Sequence, residues 1–202
     1  VLAGLWMVAQ LHASTVAFGS GDLRGSFSLP ALFGFTPQSY LATEAGVVML
    51  NIAGLGLLLA GVARDTGTAY WRALLLLLGA ACALKAAAAL LVMNAPNPWS
   101  WLTPGVIGGF SGALAALLLL TRLPPRARTA LALLALGAAV ALVNGIPDNP
   151  YRPVPAYLLL GRTSHILSFA SMTHALSDLW PFLAMLCALP GLTARSASSH
   201  RD

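Results

Sequence analysis

Ala73-Leu-Leu-Leu-Leu-Leu-Gly-Ala-Ala-Cys-Ala-Leu-Lys85-Ala-Ala-Ala-Ala-Leu-Leu-Val-Met93 carries a single charge in 21 residues. Roughly 20 apolar residues in helical form cross the hydrocarbon core of a bilayer. Lipid offers no partner for open backbone N–H and C=O groups, so such a run has to be a helix. The same pattern recurs on both sides of it. Apolar runs cover 1–11, about Thr43 to Ala63, about Pro104 to Leu120, about Thr129 to Ile146 and about Phe169 to Leu189. The expected fold is therefore all-α, a polytopic membrane helix bundle of about six transmembrane helices.

Composition agrees. The chain has 202 residues, 58% hydrophobic and only 8% charged, with a mean hydropathy of +0.79. A soluble domain averages about 25% charged residues, and 17 charges, 11 basic and 6 acidic, are too few to solvate a globule of this size. A soluble enzyme, a disordered tail and a disulfide scaffold are excluded on this ground. The net charge of +5 does not point to nucleic acid, because the basic residues are scattered through short loops. Cys82 and Cys187 both fall within apolar runs and are expected as buried thiols.

The run 1–11 is about half of a span. It is expected to be the remaining part of a truncated first helix in a longer protein. Residues 1–193 then form the bundle and 194–202 a cytoplasmic tail. Orientation follows from the arginines. Arg64, Arg72, Arg122, Arg126, Arg128, Arg195 and Arg201 alternate onto one side, whereas Arg24, Arg152 and Arg162 fall on the other. The positive-inside bias predicts both ends in the cytoplasm, N-in/C-in, in a bacterial inner membrane.

The outer connections differ from the inner ones. Residues 12–42 read as a long Gly/Ser/Thr-containing outer loop with Phe27, Phe33, Phe35 and Tyr40. Residues 94–103 and 147–168 are rich in Pro, Asn and aromatics, and Val154–Ser168 reads as an interfacial or re-entrant helix. Trp99, Trp101, Tyr151 and Tyr157 suit an outer aromatic belt, and Tyr70 and Trp71 an inner one. Asn94-Ala-Pro-Asn-Pro-Trp99 and Ile146-Pro-Asp-Asn-Pro-Tyr151 echo each other as two similar helix stops.

Chemistry is sought among polar residues within the spans, because intramembrane charges are costly and usually face protein or a cavity. Lys85 lies twelve residues into its span, about 18 Å from the inner end at 1.5 Å per residue. Asp178 lies about nine residues into the last span from the outside, and Glu44 sits at the outer mouth of the second. Asn51 shares a helix face with Glu44, and His174 one with Asp178. These depths allow Lys85, Asp178 and Glu44 to meet in the outer half, as a substrate or proton site or as a packing ion pair. His174 and Asp178 supply only two metal ligands, too few for zinc, so no metal and no cofactor is expected.

Gly109-Phe-Ser111-Gly112 with His174 two spans later is similar to rhomboid intramembrane serine proteases. The second span offers only Asn51 toward an oxyanion hole, however, and the sequence after His174 lacks the spaced glycines of those proteases. Gly105, Gly108, Gly109 and Gly112 also read as a small-residue face along which helices approach closely.

Several stretches, in order and spacing, resemble the C-terminal membrane region of long VanZ-like proteins of Gram-negative bacteria. They are Thr43-Glu44, Ala83-Leu-Lys85, Trp101-Leu-Thr-Pro-Gly105, Gly108-Gly-Phe110, Val143-Asn144, Pro147-Asp-Asn-Pro-Tyr151, Leu176-Ser177 and Leu179-Trp-Pro-Phe182. The resemblance covers most of the chain from about residue 40 onward. It implies an N-terminal VanZ domain upstream of Val1 in such relatives. It also implies kinship with a family linked to low-level teicoplanin resistance, whose biochemical role is not established. Ser111 is not a serine landmark in that family. The expected function is a non-catalytic, envelope-associated inner-membrane module, with Glu44, Lys85, Asn144, Asp148 and Asp178 lining its outer half. Its expected partners are the lipid bilayer and a lipid-linked or envelope ligand. A small transporter with a Lys85/Asp178 site, and more remotely a Ser111/His174 protease, are the alternatives.

Overall fold

A computed structural model describes residues 1–12, 16–27, 34–91, 97–146 and 164–193. Regular structure among them is all helical: α1 (Leu2–Ala9), α2 (Arg24–Phe27), α3 (Pro37–Thr66), α4 (Tyr70–Leu91), α5 (Pro104–Leu120), α6 (Pro125–Gly145), α7 (Ser164–Ala188) and α8 (Pro190–Thr193). Against the six spans expected, four stretches are long and apolar enough to cross a membrane: α3, α4, α6 and Ser171–Leu192 of α7 and α8. With 17 residues, α5 is equally apolar but shorter, and α1 has only 8. The protein is a multi-pass membrane protein by helix length and hydropathy.

Local chemistry sets the helix ends. α3 begins six residues before the first expected position, because Thr36 and Ser39 form a reciprocal capping box around Pro37. The Ser39 amide donates to Thr36 Oγ1 at 3.1 Å. It ends at Gly67, whose φ of 69° is the left-handed cap glycine tolerates. α5 starts where expected, with Thr103 accepting from the Val106 amide at 3.2 Å and Pro104 in the first turn.

α3 is the central helix, packed chiefly against α5 and α6. Small residues bring the backbones together. A Cβ on Gly109 of α5 would lie 2.6 Å from the Ala45 carbonyl oxygen of α3. One on Gly54 of α3 would lie 2.8 Å from the Leu136 side chain of α6. Gly105 closes against the Glu44 carboxylate, and Gly112 faces Met49, whereas Gly108 meets nothing. The small-residue face is thus Gly105, Gly109 and Gly112, continued by the buried Ala113. Outward positions such as Leu76, Leu119, Leu134 and Leu186 are exposed, as a lipid-facing surface requires. Cys187 is exposed on this surface too and Cys82 is half-buried, which corrects the expectation of two buried thiols. The Cys187 face of α7 also presents Leu179, Leu183 and Leu186, and a thiol sits there as one more small apolar group.

The largest departure from expectation lies in residues 12–42. They are not simply an outer loop: 16–24 enters the bundle as an irregular turn and coil leading into α2, with Val16, Phe18, Gly19, Ser20 and Gly21 all buried. Ser20 Oγ donates to Asn51 Oδ1 at 3.1 Å, and Asn51 is halfway along α3. Non-helical backbone at such depth is tolerated only where protein satisfies its polar groups. Three spans do so. The Leu23 amide donates to Asn144 Oδ1 at 2.9 Å, and Asn144 Nδ2 donates to the Gly21 carbonyl at 2.7 Å. The Gly21 amide donates to the Ser177 carbonyl at 3.0 Å. That carbonyl is available because its usual helical partner, residue 181, is a proline without an N–H.

Shape is matched as well. Gly21 has φ 81°, and a Cβ there would lie 2.8 Å from Val140 and 3.0 Å from Pro181, so only glycine fits. Phe18 is held at φ 59°, a left-handed conformation that costs a bulky residue about 1–3 kcal/mol. Aromatic packing holds it there. Its ring centroid is 5.1 Å from Phe110, 5.7 Å from Trp101 and 6.0 Å from Trp6.

Candidate functional site

α1 runs antiparallel to α7. The Leu2 carbonyl accepts from Trp180 Nε1 at 2.9 Å, and the His12 ring meets His174 edge-on at a centroid distance of 4.7 Å. This arrangement carries His12, just beyond the last residue of α1, to the polar stretch of α7. His174 and Asp178, one turn apart, pair through Nδ1 and Oδ2 at 2.7 Å. Lys85 of α4 donates through Nζ to the His12 carbonyl at 3.0 Å. The Asp22 backbone amide, on the inserted segment, donates to the Asp178 carboxylate.

One polar cluster therefore joins four parts of the chain: Lys85 from α4, His12 after α1, His174 and Asp178 from α7, and Asp22 from the inserted segment. Lys85 and Asp178 are buried, at 7% and 8% exposure. The His174 side chain is 44% exposed. The charged ends of Lys85 and Asp178 are thus withdrawn from the surface, while His12, Asp22 and His174 are partly exposed. A cation and an anion at this depth are each costly, by about 2.5–3.5 kcal/mol on insertion scales. The cluster offsets that cost by giving each charged group a hydrogen-bonding partner.

The other expected residues separate from it. Glu44 is buried and accepts from Thr103 Oγ1 at 2.5 Å, so it ties α3 to the start of α5. Asn144 holds both sides of the inserted segment, as described above. Asp148 lies outside the described residues, as do Tyr151, Tyr157, residues 94–96 and 147–151 of the two Pro-Asn echoes and residues 154–163 of the stretch read as an interfacial helix. Ser164–Ser168 form the first turns of α7. Ser111 is exposed, and its hydroxyl bonds to the Ile107 and Gly108 carbonyls of its own helix, both at 3.0 Å. Its described hydrogen bonds do not reach His174, whose neighbours are His12 and Asp178. No group of three or more His, Cys, Asp or Glu side chains suited to a metal ion occurs among the described residues.

His12 and Asp22 are the members of the cluster that sequence reasoning missed. The signal for His12 is a histidine closing an apolar run. The inserted segment had a signal too: Gly19-Ser-Gly21 beside spans that contain Asn51, Asn144 and Pro181, each of which brings polar capacity with no use inside a straight helix. Compared with family models, with curated proteins and with solved structures, the chain finds no match in any of the three.

Proposed function

We propose that this multi-pass membrane protein is a non-catalytic, envelope-associated module of the VanZ-like type. It would have six spans and both ends in the cytoplasm of a bacterial inner membrane, and it would recognise the polar part of a lipid-linked envelope ligand from the outer side. The observation that supports this reading is the cluster of His12, Lys85, His174 and Asp178 against the inserted segment, in which the two charged groups are buried and the two histidines are partly exposed. Such a cluster offers a cationic ammonium and an imidazole to an anionic head group, while the lipid-facing surface accommodates its chains. Asn144 and Asp22 act by holding the inserted segment in place, and Glu44 by anchoring α5.

A polyprenyl-phosphate lipid added to the protein in neutral phosphatidylcholine nanodiscs is the direct test. Saturable binding is expected, weakened at least tenfold in Lys85→Met and His174→Ala and retained in Ser111→Ala. Equal binding by all four proteins would sink the reading. A small transporter is the second reading, favoured by the buried Lys85–His12–His174–Asp178 connection, which could pass an ion or proton. Flux of protons or cations into proteoliposomes that disappears in Asp178→Asn would favour it over the binding module.

A further inference from the structure

At the other end of α4 from Lys85, about 22 Å away at 1.5 Å per residue, residues at the ends of α3, α4, α5 and α6 line a second, open site. It is a pocket of about 370 Å³. Its polar wall is Arg64, Thr68, Tyr70, Thr121 and Arg128, and the rest is alanine and glycine. No carboxylate lines it.

The wall is short of negative charge. Arg128, in the first turns of α6, is 92% buried, the complement of its 8% exposure. Its Nε has no hydrogen-bond partner. The Tyr70 hydroxyl, close enough to feel the Arg128 charge, is also buried and unpartnered. A buried cation without a counter-charge is among the costliest arrangements in a protein. The starts of α4 and α6 and the ends of α3 and α5 meet here, so their dipoles oppose one another and supply no net counter-charge. Thr121 already spends its proton on the Leu117 carbonyl, at 2.7 Å. The free donors are therefore the guanidinium of Arg128, the Tyr70 hydroxyl and the exposed guanidinium of Arg64. Arginine forks and a hydroxyl are the groups that suit phosphate oxygens.

We propose that this pocket binds a phosphate group, with Arg128 and Tyr70 donating to its oxygens and Arg64 closing over it. The group is either the head of an anionic phospholipid or a free phosphate. The inference is independent of the His174 cluster and of the function proposed for it.

The test uses the protein in phosphatidylcholine nanodiscs, titrated with inorganic phosphate in one arm and with phosphatidylglycerol in the other. Binding is read as the half-saturating concentration from the thermal unfolding midpoint. Arg128→Gln should weaken binding about tenfold or more, and Tyr70→Phe and Arg64→Gln severalfold. Arg126→Gln, an exposed arginine outside the pocket, should leave it unchanged. Response in both arms identifies a free phosphate site, and response to phosphatidylglycerol alone identifies a lipid head group. The proposal is overturned if neither probe binds, or if Arg126→Gln weakens binding as much as Arg64→Gln and Tyr70→Phe do. Those two variants carry the test should Arg128→Gln fail to fold.

Discussion

Two halves of the bundle meet the demands of lipid in opposite ways. Where α3 contacts α5 and α6, the backbone is regular helix, and small residues bring the helices close: Gly54, Gly105 and Gly109. Where α1, the segment 16–24 and α7 meet, the backbone is irregular. Its polar groups are satisfied by side chains and by a carbonyl released by Pro181. The first half loses only contact when disturbed. The second leaves buried polar atoms without partners, which costs more. The ionisable cluster lies in the second half, where the groups needed to support irregular backbone also bring charge into the bundle.

This contrast can be broken by substitution, with stability read from unfolding in bicelles. The largest loss is expected from Gly21→Val. Its side chain would combine a left-handed φ, worth about 1–2 kcal/mol, with overlap on Val140 and Pro181 worth about 1–3 kcal/mol. Asn144→Leu comes next at about 3 kcal/mol, because it strips partners from the Leu23 amide and the Gly21 carbonyl together. Hydrogen exchange should then rise at residues 16–24 and stay unchanged in α5. Gly109→Ala should cost about 2 kcal/mol, since the added methyl meets backbone that has to shift. Thr103→Val is expected to cost about as much, roughly 2 kcal/mol, for a lost helix cap and a lost donor to the buried Glu44 carboxylate. Glycine-seam variants that prove more damaging than Gly21→Val and Asn144→Leu would reverse the comparison.

Much of the helical half was legible in advance. α5 runs from Pro104 to Leu120 in both readings, because a Thr-Pro start and an unbroken apolar run are local signals. Lys85 and Asp178 also stood out, since charges in spans are few and their depths could be counted, but Lys85 bonds the His12 carbonyl and Asp178 pairs with His174. The intermediary was not legible. His12 and His174 join them only because α1 lies antiparallel to α7, and no spacing in the chain encodes that contact. Asn144, read as a candidate ligand-binding residue, turned to the inserted segment, and Glu44 to the cap of α5. A polar residue inside a span announces that it needs a partner, but not which one.

The apolar runs by themselves determined that this protein is a multi-pass helical membrane protein. Lipid cannot hydrogen-bond a backbone, so any run of that length and composition must be helical. Tertiary structure alone decided that residues 16–24 leave the surface and thread between α3, α6 and α7. It also decided that two histidines link Lys85 to Asp178, and that Arg128 and Tyr70 share a pocket. Those outcomes depend on which buried donor finds which buried acceptor across helices far apart in the chain, and that pairing is settled only when the helices pack.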